Sequence, residues 1–436
     1  MNISDYPLKR HKTIYLPLLA ILGWSIISAR AAEPAFSAAH MINALGIDLL
    51  HQTKPASGNF LLSPYSIQSA LAMTYAGADG VTREEMAKAL HFPKDEAVLH
   101  RAFLALQQRL SAIATNSSNQ TAKLKRSGWK VGDPIQFEIA NRLFGQKGYA
   151  FRAPFLTLVK NNYQAPFEPL DFASTPAAAT AATKHINEWV EQETHRRIQG
   201  VLPEGALTKY TRLVLVNAIY LKAPWESEFR DSATQPRPFY LSNNVATNVP
   251  TMHQLHEFGY AKAVGFSAVS LNYAGAEIGF LILLPDKRDG LAALESQLTP
   301  AMLVQCANLP VREVNLFLPK FRLEPPMMPL GNQLKKLGMK SAFDEPPGSA
   351  KFDRMAPRTP DDYLYISDVY HKTFLKIDEQ GTEAAAATAV GIDESIGLHS
   401  PPPKPIEVKV DHPFLFAILH RSTGVCLFLG RVTDPR

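Results

Sequence analysis

Cysteine is scarce in this chain, since only Cys306 and Cys426 occur among 436 residues. So few cysteines exclude a fold that is held together by a disulfide framework. Cys306 lies in a helical pattern and Cys426 in an apolar strand pattern, so we expect two buried free thiols, with a single disulfide as the alternative. The chain must therefore depend on a hydrophobic core for its stability.

Charged side chains are also few, 19% of residues against 46% hydrophobic ones. This balance is typical of a globular protein and not of a disordered one. The formal net charge of +5 falls to +2 (41 basic minus 39 acidic residues) without residues 1–31, which carry four basic residues and one acidic residue. So small an excess of positive charge argues against nucleic acid as a partner.

Long hydrophobic runs are absent after the N-terminus. Residues 9–12 are basic, residues 14–27 are apolar, and residues 29–31 end in small side chains. This order is typical of a secretory signal peptide over residues 1–31, because the apolar run is short for a membrane span; a short anchor is the alternative. We expect residues 32–436 to be a secreted single domain, extracellular or, in a bacterium, periplasmic, with no membrane partner.

Helical patterns precede strand patterns along the chain, which predicts one α+β domain. Residues 33–54 form an amphipathic pattern, and Ser63 caps a helix that begins at Pro64. Residues 111–135 are polar and are predicted to be a flexible insertion, and a long helix is predicted over residues 176–197. Apolar runs that predict strands follow at residues 213–221, 278–284, 314–323, 414–419 and 425–432.

A long segment without a settled pattern runs from Glu379 to about Pro405. Its start contains Glu-Ala-Ala-Ala-Ala, which favours a helix on propensity alone. Long loops in compact domains are usually functional, and this one could either stay exposed or fit a narrow slot in a sheet. In an extended strand one of its faces would be small and uncharged: Thr382, Ala384, Ala386, Thr388, Val390 and Ile392.

Several motifs, taken in order, resemble those of the serpin family from about residue 35 to the C-terminus. They are Asn59–Ile67, Gly77-Ala78, Leu215–Tyr220 with Trp225, Leu318–Phe321, His371-Lys372, Asp378–Glu383 and Asp411–Phe414. The resemblance implies an α+β fold of three β-sheets with eight or nine helices, and a reactive centre loop at about residues 379–405. It also implies a monomeric suicide-substrate inhibitor of serine, and sometimes cysteine, proteases that is not an enzyme and needs no cofactor.

The resemblance assigns roles to three groups of residues. The hinge of the loop would be Glu379, Gly381, Thr382, Ala384, Ala385, Ala386 and Ala387. A buried polar cluster beneath the opening sheet would be Ser63, Ser66, Asn217 and His371, and the loop would enter the sheet near Trp225, Lys320 and Glu379. Because the inward face of the hinge carries no bulky or charged residue, we predict an inhibitory member; a non-inhibitory carrier or chaperone is the alternative.

Other activities find less support in the sequence. Neither serine of the polar cluster lies in a Gly-x-Ser-x-Gly turn, and His256-Glu257 lacks the second histidine of a zinc-binding helix. The four basic side chains in residues 123–130 favour a solvated loop over a polyanion site.

The sequence departs from the family at one position after the long helix, where it has Arg196 and many serpins have glycine.

Two counts along the loop place the cleaved bond differently. Counting forward from the hinge at the usual family spacing gives Ser395-Ile396, whereas counting back from the C-terminal motif gives a bond near Pro402. We favour Ser395-Ile396, because few serine proteases accept proline on the leaving side. Ile396, Leu398 and Glu394 are the alternatives for the residue that the primary pocket of the protease binds.

The residue at the cleaved bond also predicts the class of target protease. Serine suggests an elastase-like pocket, Leu398 would suggest a chymotrypsin- or subtilisin-like pocket, and Glu394 an acid-specific one. No lysine or arginine occurs between Lys376 and Lys404. A trypsin-like target is therefore not expected.

Overall fold

The structure is a computed structural model that describes residues 38–52, 58–128, 132–242, 245–382 and 404–436. The predicted signal peptide lies outside these residues. No helix within the described ranges is long and apolar enough to cross a membrane. The helices are α1 (Ala38–Gln52), α2 (Pro64–Tyr75), α3 (Gly80–Ala89), α4 (Glu96–Arg126), α5 (Ala153–Tyr163), α6 (Pro176–Glu193), α7 (Leu291–Gln297), α8 (Pro300–Cys306) and α9 (Gly331–Lys336), with short 3-10 turns at Asp231–Ala233 and Ser341–Phe343.

Strands dominate the second half of the chain. They are β1 (Phe60–Leu62), β2 (Gln136–Gln146), β3 (Phe167–Leu170), β4 (Leu213–Pro224), β5 (Gln235–Tyr240), β6 (Ala246–Ala263), β7 (Phe266–Asn272), β8 (Ile278–Pro285), β9 (Val311–Pro319), β10 (Phe321–Leu323), β11 (Met328–Pro329), β12 (Tyr370–His371), β13 (Leu375–Asp378), β14 (Gly381–Thr382), β15 (Ile406–Lys409), β16 (Phe414–His420) and β17 (Val425–Val432).

These strands form three sheets in the described part of the chain, and the predicted α+β class is confirmed. A nine-stranded sheet has the order β1-β17-β16-β8-β7-β6-β9-β15, with β5 added beside β6. A six-stranded sheet has the order β10-β13-β14-β4-β2-β3, and β11 and β12 form a two-stranded sheet. The strand β14, which belongs to the predicted loop, thus lies in the interior of the six-stranded sheet.

Aromatic side chains join the two large sheets. Phe321 of β10 lies 5.5 Å, centroid to centroid, from the ring of Phe416 on β16. Phe280 of β8 stacks on Phe416 at 5.5 Å. All three rings are buried, and such aromatic pairs add to the stabilisation that burial provides. Part of the core therefore lies between the two sheets, and another part packs α6 against β2 and β4.

Short-range sequence signals predicted several elements correctly. The Ser63 hydroxyl accepts a hydrogen bond from the Ser66 backbone N–H, and Pro64 is the first residue of α2. Cys306 in α8 and Cys426 in β17 are both buried and unpaired, which confirms the two free thiols. The apolar run at residues 425–432 is strand β17 with the predicted limits.

The prediction of a flexible insertion at residues 111–135 is wrong over residues 111–126, since α4 continues to Arg126. The physical reason is a buried stripe at helical spacing, formed by Leu106, Leu110, Ile113 and Ser117. The basic side chains near the end of α4 also interact favourably with the helix dipole. Helix α6 ends at Glu193, four residues before the predicted limit.

The apolar run at residues 314–323 is not one strand but two. β9 ends at Pro319 in the nine-stranded sheet, and β10 begins at Phe321 in the six-stranded sheet. Lys320 is the residue between them, so its side chain lies where the chain passes from one sheet to the other.

Candidate functional site between two strands of the six-stranded sheet

The start of the predicted loop lies inside the six-stranded sheet. Thr382 pairs with Ile377 of β13 on one side and with Ala223 of β4 on the other. It is only 1% exposed. Gly381 has a φ of +143°, a backbone conformation that residues with a side chain rarely adopt. The first residues of the predicted loop therefore form a turn and a short strand rather than exposed chain.

Trp225 and the residues after it hold the turn that precedes β14. The Trp225 indole Nε1 donates a hydrogen bond of 2.9 Å to the carbonyl of Asp378. The backbone N–H groups of Trp225 and Phe229 donate to the carbonyls of Gln380 and Glu379 at 2.8 and 2.9 Å. Three donors from one segment thus fix three successive carbonyls of the turn, so Trp225 acts here through hydrogen bonds as well as through packing.

Lys320 and Glu379 form an ion pair at the same turn. The Lys320 Nζ lies 2.7 and 3.0 Å from the two carboxylate oxygens of Glu379, and the Thr234 hydroxyl donates to the same carboxylate at 2.7 Å. The Glu379 side chain is 7% exposed and that of Lys320 is 36% exposed. Burial alone would raise the pKa of Glu379, but the hydrogen bonds from Lys320 and Thr234 outweigh burial and lower it.

Glu228 is a second acidic residue beside this turn, and its environment shifts its pKa in the opposite direction. Partial burial, together with the nearby charges of Asp231 and Asp378, raises the pKa of Glu228 to about 6. Asp378 is itself paired with Lys376 at 2.7 Å. The pKa values of Glu228 and Glu379 are therefore shifted in opposite directions. The reason is that Glu379 has a lysine partner among the described residues and Glu228 does not.

Tyr273 contacts the loop from the nine-stranded sheet, a contact that no sequence motif predicted. It follows the end of β7 and is fully buried. Its ring stacks on Trp225 with centroids 4.6 Å apart and planes 8° from parallel. Its hydroxyl forms a short hydrogen bond with the Thr382 hydroxyl.

The predicted polar cluster is present in two halves. The Ser63 backbone N–H donates to His371 Nε2 at 3.1 Å, and the Ser66 hydroxyl donates to the Asn217 carbonyl at 3.4 Å. The Ser66 N–H to Ser63 Oγ bond of 3.2 Å joins the halves. Burial lowers the pKa of His371 to about 4, so the ring is neutral and its Nε2 accepts. Asn141, which the sequence reasoning missed, accepts a hydrogen bond from the Asn217 amide.

A cavity of about 350 Å³ separates β4 from residues 363–371. It is lined by residues 213–217 on the β4 side and by Ser66 and Ile67 of α2 beneath. In the part of the chain that the structure describes, this half of β4 is paired only with β2. The six-stranded sheet is therefore open here on one side of β4.

Some predicted site residues lie outside the described residues: Ala384, Ala385, Ala386, Ala387, Glu394, Ser395, Ile396 and Leu398. No group of three or more His, Cys, Asp or Glu side chains that could hold a metal ion occurs in the described ranges.

Arg196 has a φ of +65°, and His195 before it has a φ of +48°. Glycine adopts such a backbone without strain, which gives a physical reason for the glycine that many serpins have there.

Known proteins resemble this chain over most of its length. The family model described as serpin (serine protease inhibitor) matches residues 40–435. An uncharacterized serpin-like protein of Thermococcus kodakarensis is 35% identical over 434 residues, which cover 99% of this chain and 93% of that protein. The leukocyte elastase inhibitor of Bos taurus is 36% identical over 408 residues, covering 92% and 99%.

Solved structures also align over most of the chain. Cleaved Serpin 42Da aligns with a TM-score of 0.74 at 28% identity, over 91% of this chain and 98% of the other. Human thyroxine-binding globulin complexed with thyroxine aligns with a TM-score of 0.73 at 26% identity, over 91% and 98%.

Proposed function

The chain belongs to the serpin family, and on that premise we propose that it inhibits proteases as a suicide substrate. A serine or cysteine protease would attack the loop as an extended peptide, and its nucleophile would become acylated by the upstream part of the loop. That part would then enter the six-stranded sheet as a new strand and carry the protease with it. Insertion would have to be faster than hydrolysis of the acyl bond.

The observation that carries this proposal is the open side of β4. The strand pairs with β2 over Leu213–Lys222, whereas only Ala223 and Pro224 have strand partners on the other side among the described residues. The cavity of about 350 Å³ lies beside the unpaired part. An extended segment that entered here would gain backbone hydrogen bonds from the sheet, which is the known mode of serpin loop insertion.

The pairing of Thr382 sets the register for the rest of the loop. Because Thr382 lies opposite Ala223 in an antiparallel pair, each further loop residue would lie opposite the preceding residue of β4. Ala384 and Ala386 would then face positions 221 and 219, and their small side chains would meet little steric resistance. About a dozen new backbone hydrogen bonds, at ~0.5–1.5 kcal/mol each, would make insertion favourable by on the order of 10 kcal/mol.

The same register supports a role for the polar cluster. It would bring Thr388 opposite Asn217, whose Oδ1 is buried and has no hydrogen-bond partner within the described residues. The threonine hydroxyl would supply the missing donor, because directly opposite residues in a sheet share one face. The cluster would thus hold the sheet before insertion and bind the new strand afterwards.

The target we propose is an elastase-, subtilisin- or chymotrypsin-like protease rather than a trypsin-like one. The loop has no lysine or arginine between Lys376 and Lys404. The relative from Bos taurus is named for inhibition of leukocyte elastase, which fits the small Ser395 at the favoured bond. Polyanion and nucleic-acid partners are not part of the proposal, and the chain would act as a secreted monomer after removal of residues 1–31.

The test is to incubate the protein without residues 1–31 with elastase-, subtilisin-, chymotrypsin- and trypsin-like proteases. We expect a complex that survives denaturing gel electrophoresis with at least one of the first three. Thr382→Arg places a charge in the sheet and should turn the inhibitor into a cleaved substrate. Thr115→Arg, at an exposed site on α4, is the matched control and should still form the complex. Cleavage without any complex across the panel would contradict inhibition.

A non-inhibitory carrier is the second candidate function. The cavity is of a size that small-molecule sites commonly have, and Tyr210, Tyr363 and Tyr365 contribute aromatic surface to it. Thyroxine-binding globulin, a structural neighbour, was solved with a small molecule. A thermal melt before and after cleavage of the loop distinguishes the two candidate functions. An inhibitory chain should melt at a much higher temperature after its loop is cleaved. A chain whose loop does not insert should melt at the same temperature as before.

A further inference from the structure

The hydroxyl pair of Tyr273 and Thr382 joins the two large sheets. Tyr273 follows β7 in the nine-stranded sheet, and Thr382 ends β14 in the six-stranded sheet. Both residues are buried, at 0% and 1% exposure. Within the described residues, each of the two hydroxyls forms its hydrogen bond with the other. Neither hydroxyl can reach bulk water, so each depends on the other for a partner.

The Tyr273 ring is also held by contacts outside the loop. Its backbone N–H donates to the Ile278 carbonyl at 3.1 Å. Its backbone also forms a bridge with Trp225, and the two rings stack. Burial raises the pKa of the Tyr273 phenol, so it keeps its proton at all physiological pH values. The result is a fixed phenol hydroxyl within hydrogen-bond distance of the hydroxyl of residue 382.

We propose that Tyr273 is a positioning residue that recognises a hydroxyl at residue 382 and holds the first two residues of the loop in the sheet before cleavage. Valine at 382 would fill the same space but would leave the phenol without a partner. Serine would keep the hydroxyl. A buried hydroxyl without its hydrogen-bond partner is costly, so the docked state of Gly381 and Thr382 would become less populated.

The loop need not be cleaved for the first test, which therefore does not depend on inhibitory function. Hydrogen exchange, followed by mass spectrometry, measures the protection of backbone amides in a peptide that spans residues 375–382. We expect Tyr273→Phe and Thr382→Val each to lose about tenfold in protection, and Thr382→Ser to stay within about twofold of the parent. The double variant Tyr273→Phe with Thr382→Val should lose no more than the larger single loss, because both changes remove the same bond.

Tyr260→Phe is the matched control. Its hydroxyl lies 3.5 Å from Ser267 Oγ within the nine-stranded sheet, away from the loop. Protection of residues 375–382 should be unchanged in this control. If both single variants keep full protection, or if their losses simply add, Tyr273 does not position the loop and the proposal is overturned. If Tyr273→Phe fails to fold, the comparison of Thr382→Val with Thr382→Ser gives the answer.

A second readout extends the role to inhibition and rests on the proposed function. Tyr273→Phe should raise the number of inhibitor molecules consumed per trapped protease several-fold, because insertion would begin from an undocked strand. Thr382→Ser should not. If the parent protein traps no protease, the proposed function fails and the exchange result still decides the role of Tyr273. If trapping by Tyr273→Phe equals that of the parent, the role in inhibition is refuted.

Discussion

The α-carbon of Gly381 lies so close to Ala223 that a Cβ atom on residue 381 would be 2.1 Å from the Ala223 carbonyl oxygen. The φ of +143° at Gly381 adds a second reason for glycine. Strand β14 can therefore occupy the sheet only because residue 381 has no side chain. The point where the loop enters the sheet thus depends on the missing Cβ atom of one residue.

Gly381→Ala should expel β14 from the sheet. The combined strain of positive φ and backbone contact is expected to cost about 1–3 kcal/mol, which is more than two paired residues can offset. Hydrogen exchange of residues 375–382 should then rise by at least about tenfold. Gly338→Ala is the matched control, because Gly338 has a φ of +112° but no atom lies within 4 Å of the place that its Cβ would take. Unchanged protection in Gly381→Ala would contradict the steric argument.

Lys320→Met should destabilise the protein by about 1–2 kcal/mol, because it leaves the buried Glu379 carboxylate without its cation. Adding Glu379→Gln should recover part of this loss, since the charge is then removed together with its partner. The midpoint of thermal unfolding of the two single variants and the double variant measures the coupling. Lys184→Met, which breaks an exposed pair with Glu188, should change stability by less than about 0.5 kcal/mol. Strictly additive effects at 320 and 379 would show that the pair is not coupled.

Local signals in the sequence predict many elements because their causes are local. Ser63 and Pro64 determine the start of α2 through one side-chain hydrogen bond and one fixed φ angle. The apolar runs at residues 278–284 and 425–432 correspond to β8 and β17, which are buried throughout. In these segments burial and pattern point to the same structure.

Other features depend on contacts between distant parts of the chain, and a local pattern cannot predict them. The run at residues 314–323 is typical of one strand, but its two parts pair with different partners, β6 and β13. Thr382 meets Tyr273 across 109 positions of sequence and from another sheet. The resemblance to a known family indicated the Lys320–Glu379 pair, whereas the tyrosine carried no motif that could have pointed to it.

Arg196→Gly should stabilise the protein by about 1 kcal/mol relative to Arg196→Ala. The φ of +65° at this position strains any residue with a Cβ, and glycine adopts it freely. The two variants lack the same arginine contacts, so their difference isolates the backbone term. Midpoints of thermal unfolding measured side by side would check this, and equal midpoints would show that the backbone at 196 is unstrained in solution.

Glu228 should make stability fall as the pH rises through the mildly acidic range. Its folded pKa of about 6 lies above the ordinary value of 4.5, so the folded protein binds the proton more tightly than the unfolded chain does. The favourable term is fully present below pH 4.5 and is lost as the pH rises through about 6. The charges that face this group come from Asp231 and from Asp378, which Lys376 only partly neutralises.

Glu228→Gln mimics the protonated side chain and should remove this loss. Its free energy of unfolding should match that of the parent near pH 4.5 and exceed it above pH 6, by at most about 1 kcal/mol because the site is partly exposed. Thermal melts of both proteins at intervals between pH 4.5 and 7.5 would check this. Glu226→Gln, where the Asn272 amide donates to the carboxylate at 2.8 Å, is the matched control and should not reproduce the pH-dependent gain. A difference between Glu228→Gln and the parent that stays constant with pH would exclude titration of Glu228 as its cause. The difference in stability between the two proteins changes with pH only if the pKa of Glu228 differs between the folded and unfolded states.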